Sequence, residues 1–347
     1  MVETSTPQAF SACWWASRIE QQKLPDRLNY CFQQLSNRNL PILLGPGSLA
    51  GFLGISKKRL YHIIPRIRLY YRKFSIPKRH GGTRCITAPY PLLALIQKKI
   101  QIEILQNCIN FHDNNLIHGY IKNRSIHSNV SVHLERPFKH MAKIDISEFF
   151  RSIPAEKVLI FFQSIGYPSK VSMYLTRLCC LNGSLPQGAP TSPTLSNLIF
   201  LDIDNQIQSD AERYGIIYTR YADDLAFTGP VNHKFFDRIV ETLRTNNFFI
   251  NRNKSGIFKN SFMLTGISIV NGNKKLPKRL KREYRSNIYF LGKYGFLNCM
   301  LEHSNNPLLP EKILGQLNHW KMIEGLTPEL KSAFQIYFDE LKKISSI

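Results

Sequence analysis

Hydrophobic residues follow two different periods along the chain, and the two alternate without a regular order. From Pro91 to Cys108 apolar residues recur at helical spacing, whereas residues 70–77 and 83–89 alternate apolar and polar side chains as strands do. Residues 141–146 predict another short strand, and residues 215–228 predict a β-hairpin with a tight turn. No regular strand–helix–strand repeat connects these elements, so the pattern predicts an α+β fold with an antiparallel sheet.

The remaining elements agree with this pattern. Helices are predicted for a segment ending near Leu40, for two short stretches around Gly54, and for residues 155–165, 195–211, 235–246 and 276 onward. A strand is predicted to begin at Phe249, and a second hairpin is predicted over residues 262–270. The two helices around Gly54 fit a helix-turn-helix contact with nucleic acid, and a purely structural helical pair explains them equally well.

The chain carries a large excess of positive charge, with 46 Lys and Arg against 24 Asp and Glu and a net charge of +22. Such an excess favours an anionic partner, because Lys and Arg release counterions when they neutralise phosphates. An anionic membrane surface is one alternative, although no apolar run approaches the roughly 20 residues of a spanning helix. A protein that is merely basic is the other, so the charge indicates nucleic acid without proving it.

Cysteine usage and the N-terminus predict a cytoplasmic protein. The seven cysteines include no C-x-x-C pair, and an odd number is a poor disulfide framework. We therefore expect reduced thiols, mostly buried as small apolar groups. The first ten residues lack the basic region and the long apolar region of a signal peptide.

The most specific chemical feature is a pair of carboxylates, Asp223 and Asp224, at the tip of the predicted hairpin 215–228. Adjacent carboxylates in a tight turn repel each other unless a cation neutralises them, and Mg²⁺ prefers oxygen ligands of this kind. Asp145 comes near the end of the predicted strand 141–146. Together the three aspartates could hold two Mg²⁺ ions, as in two-metal catalysis. Taken alone, the pair is equally typical of an ordinary turn.

Three segments, in order, resemble the catalytic motifs of reverse transcriptases. Lys143–Phe150 is similar to the motif of the first catalytic aspartate, Leu185–Pro193 to the L-P-Q-G motif, and Tyr221–Asp224 to the Y-x-D-D motif. The resemblance implies an RNA-directed DNA polymerase in which the three aspartates are the catalytic residues and metal ligands. It also implies a right-hand polymerase fold with fingers, an antiparallel-sheet palm and a helical thumb.

On this resemblance the chain divides into four segments. They are an N-terminal helical region at 1–60, fingers at 61–140, a palm with the catalytic aspartates at 141–265, and a basic, RNA-binding thumb at 266–347. No ribonuclease H domain and no Cys/His endonuclease pairs are visible, which disfavours the viral and group II intron enzymes.

Several residues of these motifs are predicted to contact the incoming nucleotide. The resemblance places Phe150 as a steric gate that rejects the ribose 2′-hydroxyl, although either Phe149 or Phe150 must also serve the core. Gly188 lets the backbone approach nucleotide or template closely, and Gln187 can hydrogen-bond there. A rigid loop before the next helix is the alternative interpretation of this segment.

Cations in the predicted fingers hairpin form a second nucleotide-binding set. Lys78, Arg79 and Arg84 match the basic hairpin that holds the triphosphate in this family, because Arg binds phosphate bidentately and Lys supplies a mobile charge. Lys254 is similar to the lysine of the next palm motif, which assists proton transfer to pyrophosphate. A solvated cationic loop and a surface lysine are the alternatives.

Two further segments resemble retron reverse transcriptases. Asn129–His133 is similar to the N-A-x-x-H signature, with Val130 in place of Ala, and Leu264–Gly266 is similar to the V-T-G signature, with Leu264 in place of Val. Four residues of these signatures are accordingly predicted to bind RNA: Asn129, His133, Thr265 and Gly266. The resemblance implies a bacterial cytoplasmic enzyme that copies a structured noncoding RNA of the msr–msd type. It would prime from a guanosine 2′-hydroxyl, make branched msDNA, and act in antiphage defence with an effector protein.

The start of the predicted thumb is densely basic and carries interleaved tyrosines. Cations and aromatic side chains are what grip structured RNA, so four residues are predicted to bind it: Lys278, Arg279, Arg282 and Arg285. A solvated helix face is the usual alternative for a charge run. His118, His127 and His133 show no spacing that is typical of a metal site.

Other function classes remain open at this point. A reverse transcriptase of another bacterial class, group II-like or defence-associated, would make no branched product. A non-catalytic RNA-binding scaffold would have no need of the complete aspartate set. An RNA-dependent RNA polymerase is disfavoured by Phe150 at the steric-gate position.

Overall fold

The helices and strands alternate irregularly along the chain, as the sequence predicts. The computed structural model describes residues 25–77, 81–108, 116–138, 140–259, 261–270, 272–299 and 306–345. These residues form two compact units, each assembled from separate segments. The first unit comprises Met1–Tyr120, Ile146–Ser209 and Arg238–Asn251, and the second comprises Ile121–Asp145, Asp210–Asp237 and Arg252–Ile347. The division into four consecutive segments at residues 60, 140 and 265 stays a prediction.

The first unit combines helices with one two-stranded sheet. Its elements are α1 (Asp26–Asn37), α2 (Pro46–Leu53), α3 (Lys57–Ile63), a 3₁₀ segment (Ile64–Tyr70), β1 (Tyr71–Pro77), β2 (Thr83–Pro89), α4 (Pro91–Ile100), α6 (Ala155–Ser164) and α7 (Ser169–Cys179). The residues of α8 (Ser192–Arg213) and α9 (His233–Thr245) are divided between the two units. Fully buried side chains form its core, among them Leu35, Phe52, Phe162, Phe200 and Phe248.

The second unit is built on antiparallel sheets and three C-terminal helices. Its elements are α5 (Ile126–His133), β3 (His140–Asp145), β4 (Ile217–Tyr221), β5 (Asp224–Gly229), β6 (Gly256–Lys259), β7 (Ser261–Leu264), β8 (Ile267–Val270), β9 (Asn273–Lys275), α10 (Lys278–Asn298), α11 (Leu309–Glu324) and α12 (Pro328–Ser345). One sheet has the strand order β4-β5-β3-β6, and the other has the order β7-β8-β9. Because β3 is a central strand, Met141, Ala142 and Ile144 are buried.

Helix-end chemistry explains the two short helices predicted around Gly54. The Gly45 N–H donates to the Ser48 hydroxyl at 3.1 Å, and Pro46 occupies the first turn, where it needs no hydrogen bond. Gly54 ends the first helix in the left-handed conformation at φ 71°, and the Ser56 hydroxyl caps the second by accepting from the Arg59 N–H.

The structure differs from the predicted elements at three places. The strand expected from Phe249 is reduced to one bridge between Ile146 and Ile250, because polar residues follow and the next strand begins only at Gly256. The helix expected over 91–108 is α-helical to Ile100 and then continues as π and 3₁₀ turns. Two helices, α5 and α7, went unpredicted. The described cysteines are all free thiols, as expected. In the described part of the chain no helix has the length and apolar character that spanning a bilayer requires.

The β1–β2 hairpin is fixed to the loop that carries the L-P-Q-G segment. The Thr87 N–H donates to the carbonyl oxygen of Gln187 at 2.8 Å. Gly188 has φ 128°, and a Cβ placed on it would lie 2.9 Å from both the Ile86 Cγ2 and the Thr87 carbonyl oxygen. Glycine is therefore required here by backbone conformation and by space.

We expect Gly188→Ala to destabilise the first unit by about 2–4 kcal/mol, because the added methyl meets backbone and the φ value disfavours any side chain. Thermal unfolding of the purified protein measures the effect. Gly47→Ala is the matched control, since a Cβ there meets nothing within 4 Å inside α2. It should be neutral or stabilising by up to about 1 kcal/mol. Equal unfolding temperatures for the two variants would contradict the packing argument.

Candidate active site

The three aspartates come together on two neighbouring strands and the turn beside them. Asp145 ends β3 and lies directly opposite Asp224, the first residue of β5, in the antiparallel register. Tyr221 pairs with Asp224 across the β4–β5 hairpin, so Ala222 and Asp223 form the two-residue turn. Ala222 is buried and has φ 58°, a left-handed conformation that an alanine adopts only when its surroundings impose it.

Two lysines neutralise this carboxylate group. Lys254 Nζ lies 3.0 Å from Asp145 Oδ2, and Lys143 Nζ lies 3.0 Å from Asp224 Oδ1. The Asp145 backbone N–H donates to the Ser255 hydroxyl at 3.0 Å, which fixes the end of β3 beside the lysine. Each lysine ammonium therefore lies within ion-pair distance of one aspartate and neutralises part of the negative charge of the group.

The electrostatics of the turn favour a bound cation. Burial, followed by the neighbouring Asp224, raises the pKa of Asp223 above its ordinary value. Burial also raises the pKa of Asp224, which Lys143 lowers in part and Asp145 raises further. Both carboxylates therefore hold their negative charge at an energetic cost, and a divalent cation would relieve it.

The aspartates fit a divalent metal by chemistry and placement. Carboxylate oxygens are the ligands that Mg²⁺ and similar ions take, and Asp145 and Asp224 are opposed on adjacent strands. Over the described ranges no cluster of acidic, His or Cys side chains is already arranged around a metal position. The geometry explains this, because Asp145 and Asp224 are each turned toward a lysine.

Arg220 supports the turn from inside the protein, a role that the sequence motif did not reveal. Its side chain is fully buried, and its guanidinium donates to the Ala222 carbonyl oxygen at 3.1 Å. A buried guanidinium needs satisfied partners, so this contact both stabilises the charge and holds the strained turn. A buried arginine three residues before an aspartate pair is a signal that a search for supporting residues could have used.

His133 connects the two strands of the hairpin. It is fully buried, with Nδ1 2.8 Å from the Thr228 hydroxyl on β5 and Nε2 2.7 Å from the Thr219 hydroxyl on β4. Direct RNA contact, predicted from the signature, is not supported for a side chain with no exposed surface. The position indicates instead that His133 holds β4 against β5 near the carboxylates.

The other signature residues have different surroundings. Asn129 is fully buried in α5, and its amide atoms have no hydrogen-bond partner in the described part of the chain. Direct RNA contact is therefore also unsupported for Asn129. Thr265 and Gly266 form the turn between β7 and β8 with φ 47° and 85°. Their RNA-binding role stays a prediction.

Four of the predicted nucleotide-binding residues lie in the described part of the first unit. Each of them is exposed or half-buried, so a ligand can reach it. Phe149 is buried against Phe200 and Phe248, with ring centroids 5.5 and 6.1 Å away, whereas Phe150 is half-buried beside Tyr120. Phe149 is thus the core residue of the pair. The remaining members are the half-buried Gln187, the exposed Gly188 and the exposed Arg84 on β2. Lys78 and Arg79 lie outside the described residues.

The basic start of α10 divides into paired and exposed cations. Arg285 forms a bidentate ion pair with Glu329 of α12, with one N–H···O distance of 2.8 Å, and so helps to join the helices. Lys278, Arg279 and Arg282 are exposed on the helix surface. RNA binding stays a prediction for all four, and it is better supported for the three exposed ones.

Comparison with known proteins agrees with this geometry. Residues 76–269 match the family described as reverse transcriptase (RNA-dependent DNA polymerase). The retron Ec86 reverse transcriptase of Escherichia coli is 31% identical over 75% of this chain and 82% of its own length. The retron Ec83 reverse transcriptase of the same species is 29% identical over 76% of this chain and 84% of its own. The retron Mx65 reverse transcriptase of Myxococcus xanthus is 32% identical over 56% of this chain and 50% of its own.

The α+β fold is that of a template-directed polymerase with an antiparallel-sheet palm and a helical thumb. The chain belongs to the retron-type reverse transcriptases. Its activity is RNA-directed DNA polymerisation with divalent metal ions, and its partners are nucleic acids, an RNA template and DNA. The fold class, the family and the enzyme class expected from the sequence are thereby confirmed.

We expect Asp223→Asn to abolish primer extension and to raise the unfolding temperature of the metal-free protein by about 1–4 °C, since it removes a desolvated, repelled charge. Mg²⁺ should stabilise the unchanged protein and have less effect on the variant. The exposed Asp202→Asn is the control, and it should match the unchanged protein. Equal stabilisation of Asp223→Asn by Mg²⁺ would contradict the metal-ligand role.

The same raised pKa values predict how metal-free stability depends on pH. Between the ordinary carboxyl pKa and the raised values of Asp223 and Asp224, the folded protein binds more protons than the unfolded chain. Stability should therefore fall as pH rises through that window, and Asp223→Asn should reduce the fall. Thermal unfolding across the acidic range measures it, and an equal slope for both proteins would refute the assignment.

We expect His133→Phe to cost about 2–4 kcal/mol of stability, because it leaves the Thr219 and Thr228 hydroxyls buried without their partner. Polymerase turnover should fall while RNA affinity is retained. Adding Thr219→Val and Thr228→Val removes the orphaned hydroxyls and should recover part of the stability. If RNA affinity fell and stability did not, His133 would be an RNA contact after all.

Proposed function

We propose that Asp145, Asp223 and Asp224 bind two Mg²⁺ ions and that this chain copies a structured noncoding RNA into DNA. The direct opposition of Asp145 and Asp224, with a lysine neutralising each, carries the proposal. When bound, such ions lower the pKa of the primer hydroxyl and neutralise charge on the reacting phosphate. Asp145 and Asp223 would supply the direct contacts to such ions.

The cationic side chains position the nucleotide. Lys254 is 58% exposed at its side chain, so it can leave Asp145 and reach a triphosphate or pyrophosphate oxygen. Arg84 projects from the exposed part of β2 and, with Lys78, would hold the β- and γ-phosphates. Phe150 is half-buried, so part of its ring is accessible, and in the steric-gate role it would exclude a ribose 2′-hydroxyl.

We further infer that the enzyme primes from the 2′-hydroxyl of a guanosine in a cognate msr–msd RNA and makes branched msDNA. The similarity to retron reverse transcriptases over most of the chain supports this substrate. The exposed cations of α10 supply phosphate contacts for such an RNA. A role in antiphage defence with an effector protein, in a bacterial cytoplasm, rests on the same similarity.

The test expresses the gene with its native upstream DNA and analyses small nucleic acids. We expect RNase-resistant, branched single-stranded DNA in cells with the unchanged protein and none with Asp223→Asn. The Asp202→Asn variant should produce it at the normal level. Mg²⁺-dependent extension of a plain primer–template without any branched product would retain the polymerase and reject the retron substrate.

Phe150→Ala should raise incorporation of ribonucleotides relative to deoxyribonucleotides by at least about tenfold, because the ring no longer blocks the 2′-hydroxyl. Single-nucleotide extension with each sugar measures the ratio. Phe149→Ala is the matched comparison. It should lower stability by about 3–5 kcal/mol through loss of its packing, without a comparable change in sugar preference. An unchanged ratio for Phe150→Ala would exclude it as the gate.

A further inference from the structure

A cavity of about 740 Å³ lies in the first unit, and none of its lining residues is a predicted nucleotide-binding residue. Its walls come from the 3₁₀ segment before β1, from the end of α7, and from a turn at Asn182 and Gly183. This volume is within the range of about 300–1,000 Å³ that is typical of ligand sites. Neither the catalytic motifs nor the retron signatures contribute a residue to it.

Three arginines dominate the charge of this cavity. Arg66 and Arg68 come from the 3₁₀ segment, and Arg177 comes from α7. All three are exposed, and no ion pair or hydrogen bond of their side chains is found among the described residues. The described residues that line the cavity include no acidic side chain. Unpaired guanidinium groups without a neighbouring acid attract an anion.

The backbone has a defined conformation on two sides of this cavity. Arg66 lies at a kink in the 3₁₀ segment, with φ −110° and ψ 20°, which separates it from the turn that carries Arg68. Opposite, Asn182 and Gly183 have φ 51° and 81°, and Leu181 and Ser184 exchange backbone hydrogen bonds of 2.9 and 3.2 Å across them. This is the geometry of a two-residue Asn-Gly hairpin turn.

Apolar and neutral polar groups stand among the cations. Ile67 and Leu69 alternate with Arg66 and Arg68, and Leu69 is 72% exposed. The Thr176 hydroxyl in the wall is buried and has no hydrogen-bond partner in the described part of the chain. Guanidinium forks bind phosphate bidentately, and a positively charged groove tracks the backbone of single-stranded nucleic acid without reading its sequence.

We propose that this cavity is a second nucleic-acid site, which holds the phosphate backbone of single-stranded RNA. The proposal goes beyond the catalytic site and rests on the RNA-binding role proposed for the enzyme. Each guanidinium carries several N–H donors, so three of them offer more than one phosphate group accepts. Successive phosphates of one strand can share these donors, each bound by one guanidinium fork.

The test measures binding of a fluorescein-labelled oligouridylate over a series of salt concentrations. The cavity variant combines Arg66→Gln, Arg68→Gln and Arg177→Gln. A matched control removes three exposed cations outside the cavity, by Arg38→Gln, Lys98→Gln and Lys170→Gln. A homopolymer is chosen because it removes sequence reading and base pairing from the measurement.

We expect the association constant K for oligouridylate to fall less steeply with salt in the cavity variant, so that the slope of log K against log[salt] is smaller in magnitude by about 2. This is the change expected from the loss of three phosphate contacts on a single strand. The control should keep a slope close to that of the unchanged protein. A further variant with Lys at all three cavity positions should keep the slope, because it keeps the charges. Both Gln variants should extend a saturating primer–template with Mg²⁺, so a failure of polymerisation is distinguished from a failure of this site.

Three results would overturn the proposal. Equal slopes for the cavity variant and the control would show that only overall charge matters. Saturable binding of free uridine monophosphate, lost in the cavity variant while oligouridylate binding is unchanged, would assign the cavity to a mononucleotide. If the unchanged protein bound a polyglutamate peptide and the cavity variant did not, while both bound oligouridylate equally, the cavity would be assigned to an acidic protein partner.

Discussion

Repulsion among three neighbouring carboxylates is the constraint on which the second unit depends. The antiparallel register sets Asp145 opposite Asp224, and a two-residue turn adds Asp223 beside them. Burial strengthens the repulsion because less water screens it. A fold that keeps such a group must supply positive charge and rigid support, and both are present within the same unit.

Support for the carboxylates comes from residues with quite different roles. Lys143 and Lys254 neutralise charge from the solvent side, where both remain partly exposed. Arg220 holds the strained turn from the buried side, and His133 joins the two strands of the hairpin. The two lysine side chains keep part of their surface in solvent, whereas the arginine and the histidine are fully buried. The site therefore combines solvent-accessible positive charges, on the two lysines, with buried hydrogen bonds that hold the hairpin backbone.

The helical C-terminal part uses its positive charge in two ways. Lys281 pairs with the buried Glu324, which also accepts from the Trp320 indole, and Arg285 pairs with Glu329. These cations join α10 to α11 and α12. The exposed cations on α10 remain available to an anionic partner, so a basic run in the sequence contains both structural and ligand-binding positions.

Local patterns in the sequence were enough to predict the catalytic hairpin, the β1–β2 hairpin and the helices around Gly54. Helix α7 went unpredicted, although its buried residues Val171, Tyr174 and Leu178 recur at helical spacing. Burial of His133 and pairing of Arg285 depend on contacts with strands and helices far along the chain. A motif names such residues without showing whether they face RNA or the core.

A crystal structure of the protein soaked in Mn²⁺, with anomalous diffraction, tests the account most directly. We expect anomalous density within bonding distance of the Asp145 and Asp223 carboxylates, with Lys254 Nζ moved away from Asp145. Manganese bound elsewhere, with the Lys254–Asp145 and Lys143–Asp224 pairs unchanged, would contradict it.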